Sequence, residues 1–259
     1  MSRIFPFMRM KMTDELIKML KYLRLNVLIE NWDRYLKIAA KGNYSHARLL
    51  EYVVSEEYQI KKENARKMRV RRAGIPETFV LETFPFLRQP KLNKKRIESM
   101  YDGFDYMTQS RNIIFIGPTG TGKSGLATAF LIHAINQGYN GLFITFPELV
   151  ERLYQSIADN TQAKTVKKLL SYDCLLIDEL GYIEIESVQV GLFFNLMQKR
   201  HKNKTTLITS NLGFGKWTSF LKNNHLSAAL IDRLTESSYV VNMKNCISLR
   251  PRLDEVPET

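Results

Sequence analysis

The nine residues IGPTGTGKS at positions 116–124 constrain the fold of this chain more than any other segment. Gly117 is followed by four residues and then by Gly122, Lys123 and Ser124, which is the phosphate-binding loop pattern G-x-x-x-x-G-K-[ST]. Glycines let the backbone curl around a phosphate, so that several N–H groups point at its oxygens. We therefore predict that a nucleotide is bound by the loop and the residue after it, namely Gly117, Pro118, Thr119, Gly120, Thr121, Gly122, Lys123, Ser124 and Gly125.

The residues on either side of the loop fit the structure that this pattern requires. The apolar run at 112–116 predicts a strand before the loop, and SGLATAFLIHAINQG after it has helical spacing, with Gly138 as its stop. Strand, loop and helix together place the phosphates at a helix N-terminus, which favours anions. Lys123 would supply positive charge to the β- and γ-phosphates, and the Ser124 hydroxyl would be a ligand for Mg²⁺.

A second motif, DCLLIDELGY at 173–182, favours hydrolysis as well as binding. Its apolar residues 174–177 are typical of a buried parallel strand, which would end in Asp178 and Glu179. Parallel strands present their carboxyl ends to the ligand crevice, so both acids should face the phosphates. We expect Asp178 to hold Mg²⁺ and Glu179 to polarise the attacking water, which favours an ATPase over a kinase. The alternative is an ordinary solvated acidic pair at a strand end.

Three further strand-like segments complete the predicted sheet, at 141–146, 205–211 and 238–243. With the two strands above they give five parallel strands separated by helices, an α/β doubly wound fold. Asn211, just beyond its strand, would bond the γ-phosphate or the attacking water unless it is only a turn residue. Arg233 falls in a short predicted helix at 227–238. There it either pairs with a neighbouring acid or reaches a nucleotide in another subunit.

Taken together, these motifs resemble a known family. GPTGTGKS, LLIDELGY, TLITSN and ALIDRL, in this order, are similar to segments of the AAA+ ATPases of the IstB/DnaC group, and the resemblance is closer to IstB, the helper ATPase of bacterial insertion sequences. It extends to LETFPF at 81–86, which implies that Phe84 lies over the adenine. It further implies that Asn211 is the sensor residue and that Arg233 is an arginine finger acting in trans, within an ATP-dependent oligomer.

The chain departs from the wider AAA+ pattern at its C-terminal end. Many AAA+ proteins follow the last strand with a helical lid domain, whereas only 16 residues follow Met243. No lid bundle can be built from so short a tail. The arginine that a lid normally supplies is therefore expected to be absent, or replaced by Arg250 or Arg252.

The distribution of charge favours a nucleic-acid partner. The formal net charge is +12, and the stretch KKENARKMRVRR at 61–72 holds seven cations and one acid. A dense cationic helix suits contact with the phosphate backbone of duplex DNA, although a solvated helix end is the ordinary alternative. We predict DNA contacts by Lys61, Lys62, Arg66, Lys67, Arg69, Arg71 and Arg72, and by a smaller patch of Lys164, Lys167 and Lys168.

The residues before the nucleotide-binding region favour a separate helical domain. Apolar periodicity predicts three amphipathic helices, broken near 24–26 and 42–43, and AGIP at 73–76 ends the last one. We therefore predict a helical domain at 1–73, a linker with the adenine-covering segment at 74–110, and the ATPase domain at 111–259. No run of about 18 apolar residues is present and the opening MSRIFPFM is too short for a signal peptide, so we expect a cytoplasmic protein without membrane contact.

Two functions from different classes remain open at this stage. In the first, the chain is a DNA-remodelling ATPase that assembles on duplex DNA and presents a target site to an integrase-type transposase. In the second, it loads a replicative helicase, as DnaC does, with its N-terminal helices gripping the helicase. The cationic stretch favours the first function, because a domain that grips a helicase has less use for seven cations.

Overall fold

The computed structural model describes residues 11–41, 45–222 and 224–250. The chain divides into two compact units, Met1–Met68 and Arg69–Thr259. This division falls within a long helix, His46–Arg72. Among the described residues, no helix combines the length and the apolar character needed to cross a bilayer.

The first unit is helical, but the number of helices differs from the prediction. The second predicted helix is in fact two, because Asn31 leaves the helical conformation at φ −109° and ψ 15°. Its side-chain amide donates to the carbonyl oxygen of Val27 at 3.0 Å, an interaction with which asparagine competes against helical bonding. The predicted break near 42–43 lies outside the described residues. The helices are α1 (Asp14–Tyr22), α2 (Asn26–Glu30), α3 (Trp32–Lys41) and α4 (His46–Arg72).

One carboxylate links helices α3 and α4 of this unit. Glu56 on α4 accepts hydrogen bonds from the hydroxyls of Tyr35 at 2.6 Å and Tyr52 at 2.8 Å, and it forms an ion pair with Arg34. These bonds, with that from Tyr35 foremost, hold the pKa of Glu56 below its ordinary value. Because Tyr35 and Arg34 belong to α3, the carboxylate stabilises the packing of α3 against α4.

The second unit is built on a five-stranded parallel sheet, as the sequence predicts. The strands are β1 (Asn112–Ile116), β2 (Gly141–Thr145), β3 (Cys174–Leu180), β4 (Thr205–Ser210) and β5 (Ser238–Asn242). Their order in the sheet is β2-β3-β4-β1-β5, so β1, the strand before the phosphate-binding loop, lies between β4 and β5. The acidic strand β3 pairs with β4, which brings the carboxyl ends of β1, β3 and β4 to one edge.

Helices cover both faces of the sheet. Along β1, Ile113 and Phe115 pack into one hydrophobic core while Ile114 and Ile116 pack into another, which is the alternation expected of a strand buried on both sides. The helices of this unit are α5 (Lys94–Gly103), α6 (Asp105–Thr108), α7 (Lys123–Asn136), α8 (Phe146–Ala158), α9 (Gln162–Leu170), α10 (Ser187–Arg200), α11 (Trp217–Leu221) and α12 (Asn224–Thr235).

The strand ends differ from the sequence prediction in two informative places. Strand β2 stops at Thr145 because its hydroxyl caps the next helix, accepting a hydrogen bond from the backbone of Glu148 at 3.4 Å. Strand β3 continues past Asp178 and Glu179, where the sequence predicts its end, to Leu180. Both acids of the second motif therefore lie inside a strand, and the register of that strand shifts between Ile177 and Leu180.

Candidate nucleotide site

The phosphate-binding loop borders a cavity of about 650 Å³ at the carboxyl edge of the sheet. Of the predicted loop residues, Gly117, Pro118 and Thr121 are not part of the cavity wall. The cavity is lined by Glu77, Phe79, Thr83, Phe84, Pro85, Thr119, Gly120, Gly122, Lys123, Ser124, Gly125, Glu179, Tyr182, Thr209, Asn211, Leu249 and Arg250. This set joins the loop to residues from four other parts of the chain.

Two glycines of the loop adopt a backbone conformation that other residues rarely take. Gly120 has φ +83° and Gly122 has φ +94°, both in the left-handed region. A Cβ at Gly122 would also lie 2.6 Å from the ring of Phe84. The close approach of Phe84 to the loop therefore depends on glycine at this position.

Lys123 begins helix α7 and is largely buried, with 8 % of its surface exposed. Its ammonium group donates to the carbonyl oxygen of Pro118 at 2.7 Å, so the side chain folds back over the loop. Burial lowers the pKa of Lys123, Asp178 opposes that shift, and the charge of Arg250 adds to it. The lysine therefore lies where a concentration of negative charge would be stabilised.

Asp178, Ser124 and Thr209 form a hydrogen-bonded group beside the loop. The hydroxyl of Ser124 donates to both oxygens of Asp178, at 2.8 and 3.1 Å, and the hydroxyl of Thr209 donates to one of them. One hydroxyl and one carboxylate are the protein ligands that Mg²⁺ takes when phosphates and water supply the rest. The residues present thus fit the ion that the sequence predicts. Thr209 was not predicted, because no local pattern distinguishes it from other threonines of its strand.

Glu179 has an unusual backbone for a residue inside a strand. Its φ is +64°, and its N–H donates to the hydroxyl of Thr209 at 3.0 Å. In a regular strand, adjacent side chains point to opposite faces, which would separate Glu179 from Asp178. Here the register shift of β3 turns Glu179 into the wall of the cavity, where Asn211 also lies. Strain of this kind at a non-glycine residue is typical of functional sites.

The remaining wall comes from the segment before β1 and the segment after β5. Phe84 lines the cavity, and Phe79 packs close enough to Gly125 that a Cβ there would lie 3.2 Å from its ring. From the other end of the chain, Leu249 and Arg250 join the wall. Phe79 and Leu249 were not predicted from the sequence, and Arg252 lies outside the described residues.

Arg233 does not belong to the cavity wall of its own chain. Its guanidinium donates to the carbonyl oxygen of Ala229 at 3.2 Å and lies 5.0 Å from the ring centre of Phe194. Within the described part of the chain, no acidic side chain forms an ion pair with it. The intrahelical salt bridge that the sequence left open is therefore not formed.

The predicted DNA-binding cations differ in how strongly they are already neutralised. On α4, Lys61 pairs with Glu57 at 3.4 Å, while Arg66 and Lys67 share Glu63 at 2.7 and 3.9 Å. The half-buried Arg69 also belongs to this helix. Six exposed cations form no ion pair with any described residue: Lys62, Arg71 and Arg72 on α4, and Lys164, Lys167 and Lys168 on α9.

Comparison with known proteins assigns this arrangement to a family. The profile of a family described as IstB-like ATP-binding protein matches residues 18–254. The chain is 28 % identical over 222 residues to a protein of Geobacillus stearothermophilus described as the ATP-binding protein of insertion sequence IS5376, covering 86 % of this chain and 88 % of the relative. It is 28 % identical over 230 residues to the corresponding IS21 protein of Pseudomonas aeruginosa, covering 89 % and 86 %.

A solved structure gives the same picture of the fold. The crystal structure of the DnaC helicase loader superposes with a TM-score of 0.50 at 24 % identity, covering 58 % of this chain and 88 % of that one. At this level of identity the likeness establishes a shared fold.

Proposed function

Because this chain belongs to the IstB-like ATP-binding protein family, we propose that it is an AAA+ ATPase that hydrolyses ATP with Mg²⁺ on duplex DNA, and so helps a transposase engage its target. The observation that carries the catalytic part is the pair Asp178 and Glu179. One acid is hydrogen-bonded to Ser124 of the phosphate-binding loop, and the other lines the cavity beside it.

The residues of the site have separate roles in the proposed reaction. Ser124 and Asp178 would hold Mg²⁺, which neutralises charge that develops on the phosphates. Lys123 would add its positive charge to the β- and γ-phosphates, and Asn211 would hydrogen-bond the γ-phosphate or the attacking water. Glu179 would orient that water and take up its proton.

The replacement Glu179→Gln tests the catalytic part directly. It keeps the shape of the side chain and leaves Asp178 in place, so ATP should still bind. Turnover should fall by about two to four orders of magnitude because water activation is lost. ATP binding by calorimetry and phosphate release measure the two effects. Glu236→Gln, at the surface and paired with Lys202, is the matched control and should keep the parental rate. A Glu179→Gln variant that hydrolyses ATP at the parental rate would remove the catalytic assignment.

Duplex DNA is the partner that the exposed cations support. Each phosphate that a lysine or arginine neutralises releases counterions, so binding should weaken steeply with salt and carry little sequence information. The two relatives are described as ATP-binding proteins of insertion sequences. A transposase is therefore the protein partner we propose, in preference to a replicative helicase.

Replacing two of the cations that form no ion pair with a described residue tests the DNA part. Arg71 and Arg72 together changed to alanine should lower duplex affinity equally for all sequences and flatten the log–log salt slope by about two units. The matched control changes Arg66 and Lys67, which already share Glu63 and should contribute less. Fluorescence anisotropy over a salt series measures both slopes. Unchanged slopes in both variants would return α4 to an ordinary solvated helix.

A further inference from the structure

The residues at 247–250, which we call the tail segment, lie directly on the phosphate-binding loop. The N–H of Leu249 donates to the carbonyl oxygen of Gly120 at 2.8 Å. The Ser248 hydroxyl occupies the space that a Cβ at Gly120 would need, and a Cβ at Gly122 would lie 3.1 Å from the Leu249 side chain. The glycines of the loop are therefore required by the tail segment as well as by a phosphate.

The buried side chain of Gln89 forms hydrogen bonds with both the tail segment and the loop. Gln89 is 1 % exposed. Its amide nitrogen donates to the carbonyl oxygens of Ile247 at 2.7 Å and Thr121 at 3.2 Å, and its amide oxygen accepts from the N–H of Ile247 at 3.0 Å. The backbone of Gln89 is itself fixed, since its N–H donates to the carbonyl of Phe86 at 2.9 Å. Three segments that are distant in sequence thus meet at one amide.

The bonds of Gln89 indicate what its burial achieves. A buried amide is costly unless its donors and acceptor are bonded. Among the described residues, the amide of Gln89 bonds to backbone groups of the loop and the tail segment. It forms no hydrogen bond there with Asp178 or Glu179, the hydrolytic pair. Gln89 therefore affects the nucleotide site by positioning two groups. One is the loop carbonyl of Thr121, and the other is the pair of tail residues that line the cavity, Leu249 and Arg250.

We infer that Gln89 is a positioning residue for nucleotide binding: its amide holds the tail segment on the phosphate-binding loop, so that Leu249 and Arg250 form part of the wall against which the nucleotide binds. This inference rests on the proposed binding of ATP in the cavity. It assigns part of the nucleotide-binding wall to the segments before β1 and after β5, and the chemistry to the carboxyl ends of β3 and β4.

Replacing Gln89 by methionine tests the inference, because methionine has the same length but forms none of the three hydrogen bonds. We expect ADP and ATP to bind about tenfold more weakly, the effect of losing one to two net hydrogen bonds. Turnover at saturating ATP should stay within about twofold of the parent, since the hydrolytic pair is untouched. The readouts are calorimetric affinity for ADP and the separate values of KM and kcat.

The two cysteines of the chain supply a readout that does not involve nucleotide. Cys246 directly precedes the tail segment and is half-buried, whereas Cys174 is fully buried in β3 and burial raises its pKa to about 12. In Gln89→Met, a thiol reagent should modify Cys246 faster than in the parent, while Cys174 stays protected. A change that merely destabilised the whole fold would expose both.

Asn112 offers a matched control for the loss of a buried amide. It is 6 % exposed and also joins two backbone segments, donating to Leu234 at 3.3 Å and accepting from Thr206 at 3.0 Å, but at the opposite end of β1 from the loop. Asn112→Leu should lower the melting temperature without changing ADP affinity or Cys246 labelling. A second test variant, Leu249→Pro, removes the N–H that donates to the carbonyl oxygen of Gly120. It should weaken ADP binding as Gln89→Met does.

The outcomes separate this inference from the proposed function. If the parent binds neither ADP nor ATP, the proposed function is wrong. If the parent binds both, while Gln89→Met and Leu249→Pro bind with parental affinity and Cys246 reacts at the parental rate, the inference is wrong and Gln89 only fills space. Weaker binding together with faster labelling of Cys246, and an unaffected Asn112→Leu, would support it.

Discussion

Replacing Thr209 by valine should impair ATP hydrolysis, although the sequence predicts no role for this threonine. The Thr209 hydroxyl donates to Asp178 and accepts from the N–H of Glu179 at 3.0 Å, so one group fixes both acids. Valine has the same shape and leaves the strand packed, but it removes both bonds. The N–H of Glu179, which lies at φ +64°, then loses the acceptor that holds it in that conformation.

The size of the effect follows from these two bonds. A hydrogen bond to a charged group contributes about 1.5–3 kcal/mol, and a buried donor left without a partner costs about 1–3 kcal/mol. If about 1.5–3 kcal/mol of this is lost in the transition state, kcat falls by about 10- to 150-fold. The serine variant keeps the hydroxyl and should recover most of the rate.

The assay compares phosphate release at saturating ATP and Mg²⁺ with a variant of the same strand. Thr206 is equally buried, and its hydroxyl accepts from Arg200 at 3.1 Å, away from the cavity. Thr206→Val should therefore lose similar stability, about 1–3 kcal/mol, without a comparable loss of turnover. The reasoning is refuted if Thr209→Val keeps the parental kcat, or if both valine variants lose activity in proportion to their stability.

Two further predictions concern the assembly and the helical unit. Arg233→Ala and Lys123→Ala should each be inactive alone, yet a mixture of the two with DNA present should regain part of the phosphate release. The reason is that an arginine supplied in trans contributes about 10³- to 10⁵-fold in rate. If no mixing ratio restores activity, Arg233 acts within its own chain. The pKa of Glu56 is held below its ordinary value chiefly by the hydrogen bond from Tyr35, so its contribution to stability is present above the unfolded pKa and is lost as pH falls through the lower folded one. Thermal unfolding across the acid range should show this loss, and a Glu56→Gln variant that keeps the parental acid dependence would contradict it.

The fold was predictable because its signals are local. The phosphate-binding loop, its strand and its helix are adjacent in sequence, so spacing alone predicts how they follow one another. The five strands were recognisable as apolar runs for the same reason. The split at Asn31 was missed because a single asparagine inside an amphipathic pattern ends a helix only when its side chain bonds the backbone.

The sequence also indicated Lys123, Asp178 and Asn211. Lys123 belongs to the loop motif, and the other two lie at or just beyond the carboxyl end of a strand, the edge where parallel strands meet ligands. Thr209 was not, because its role depends on β4 lying next to β3. The inward turn of Glu179 depends in the same way on a register shift between two strands. The residues that precede or follow Thr209 and Glu179 predict neither the neighbouring strand nor the register shift.

Gln89 shows most clearly what only the tertiary structure decided. It and Ile247 are 158 positions apart, and nothing in either neighbourhood predicts that one amide would join them to the phosphate-binding loop. Local sequence determines which backbone conformations a segment can adopt and which face of it is apolar. Hydrogen bonds between distant segments depend instead on strand order and on how the segments before β1 and after β5 pack against the phosphate-binding loop, so they become visible only when the chain is folded.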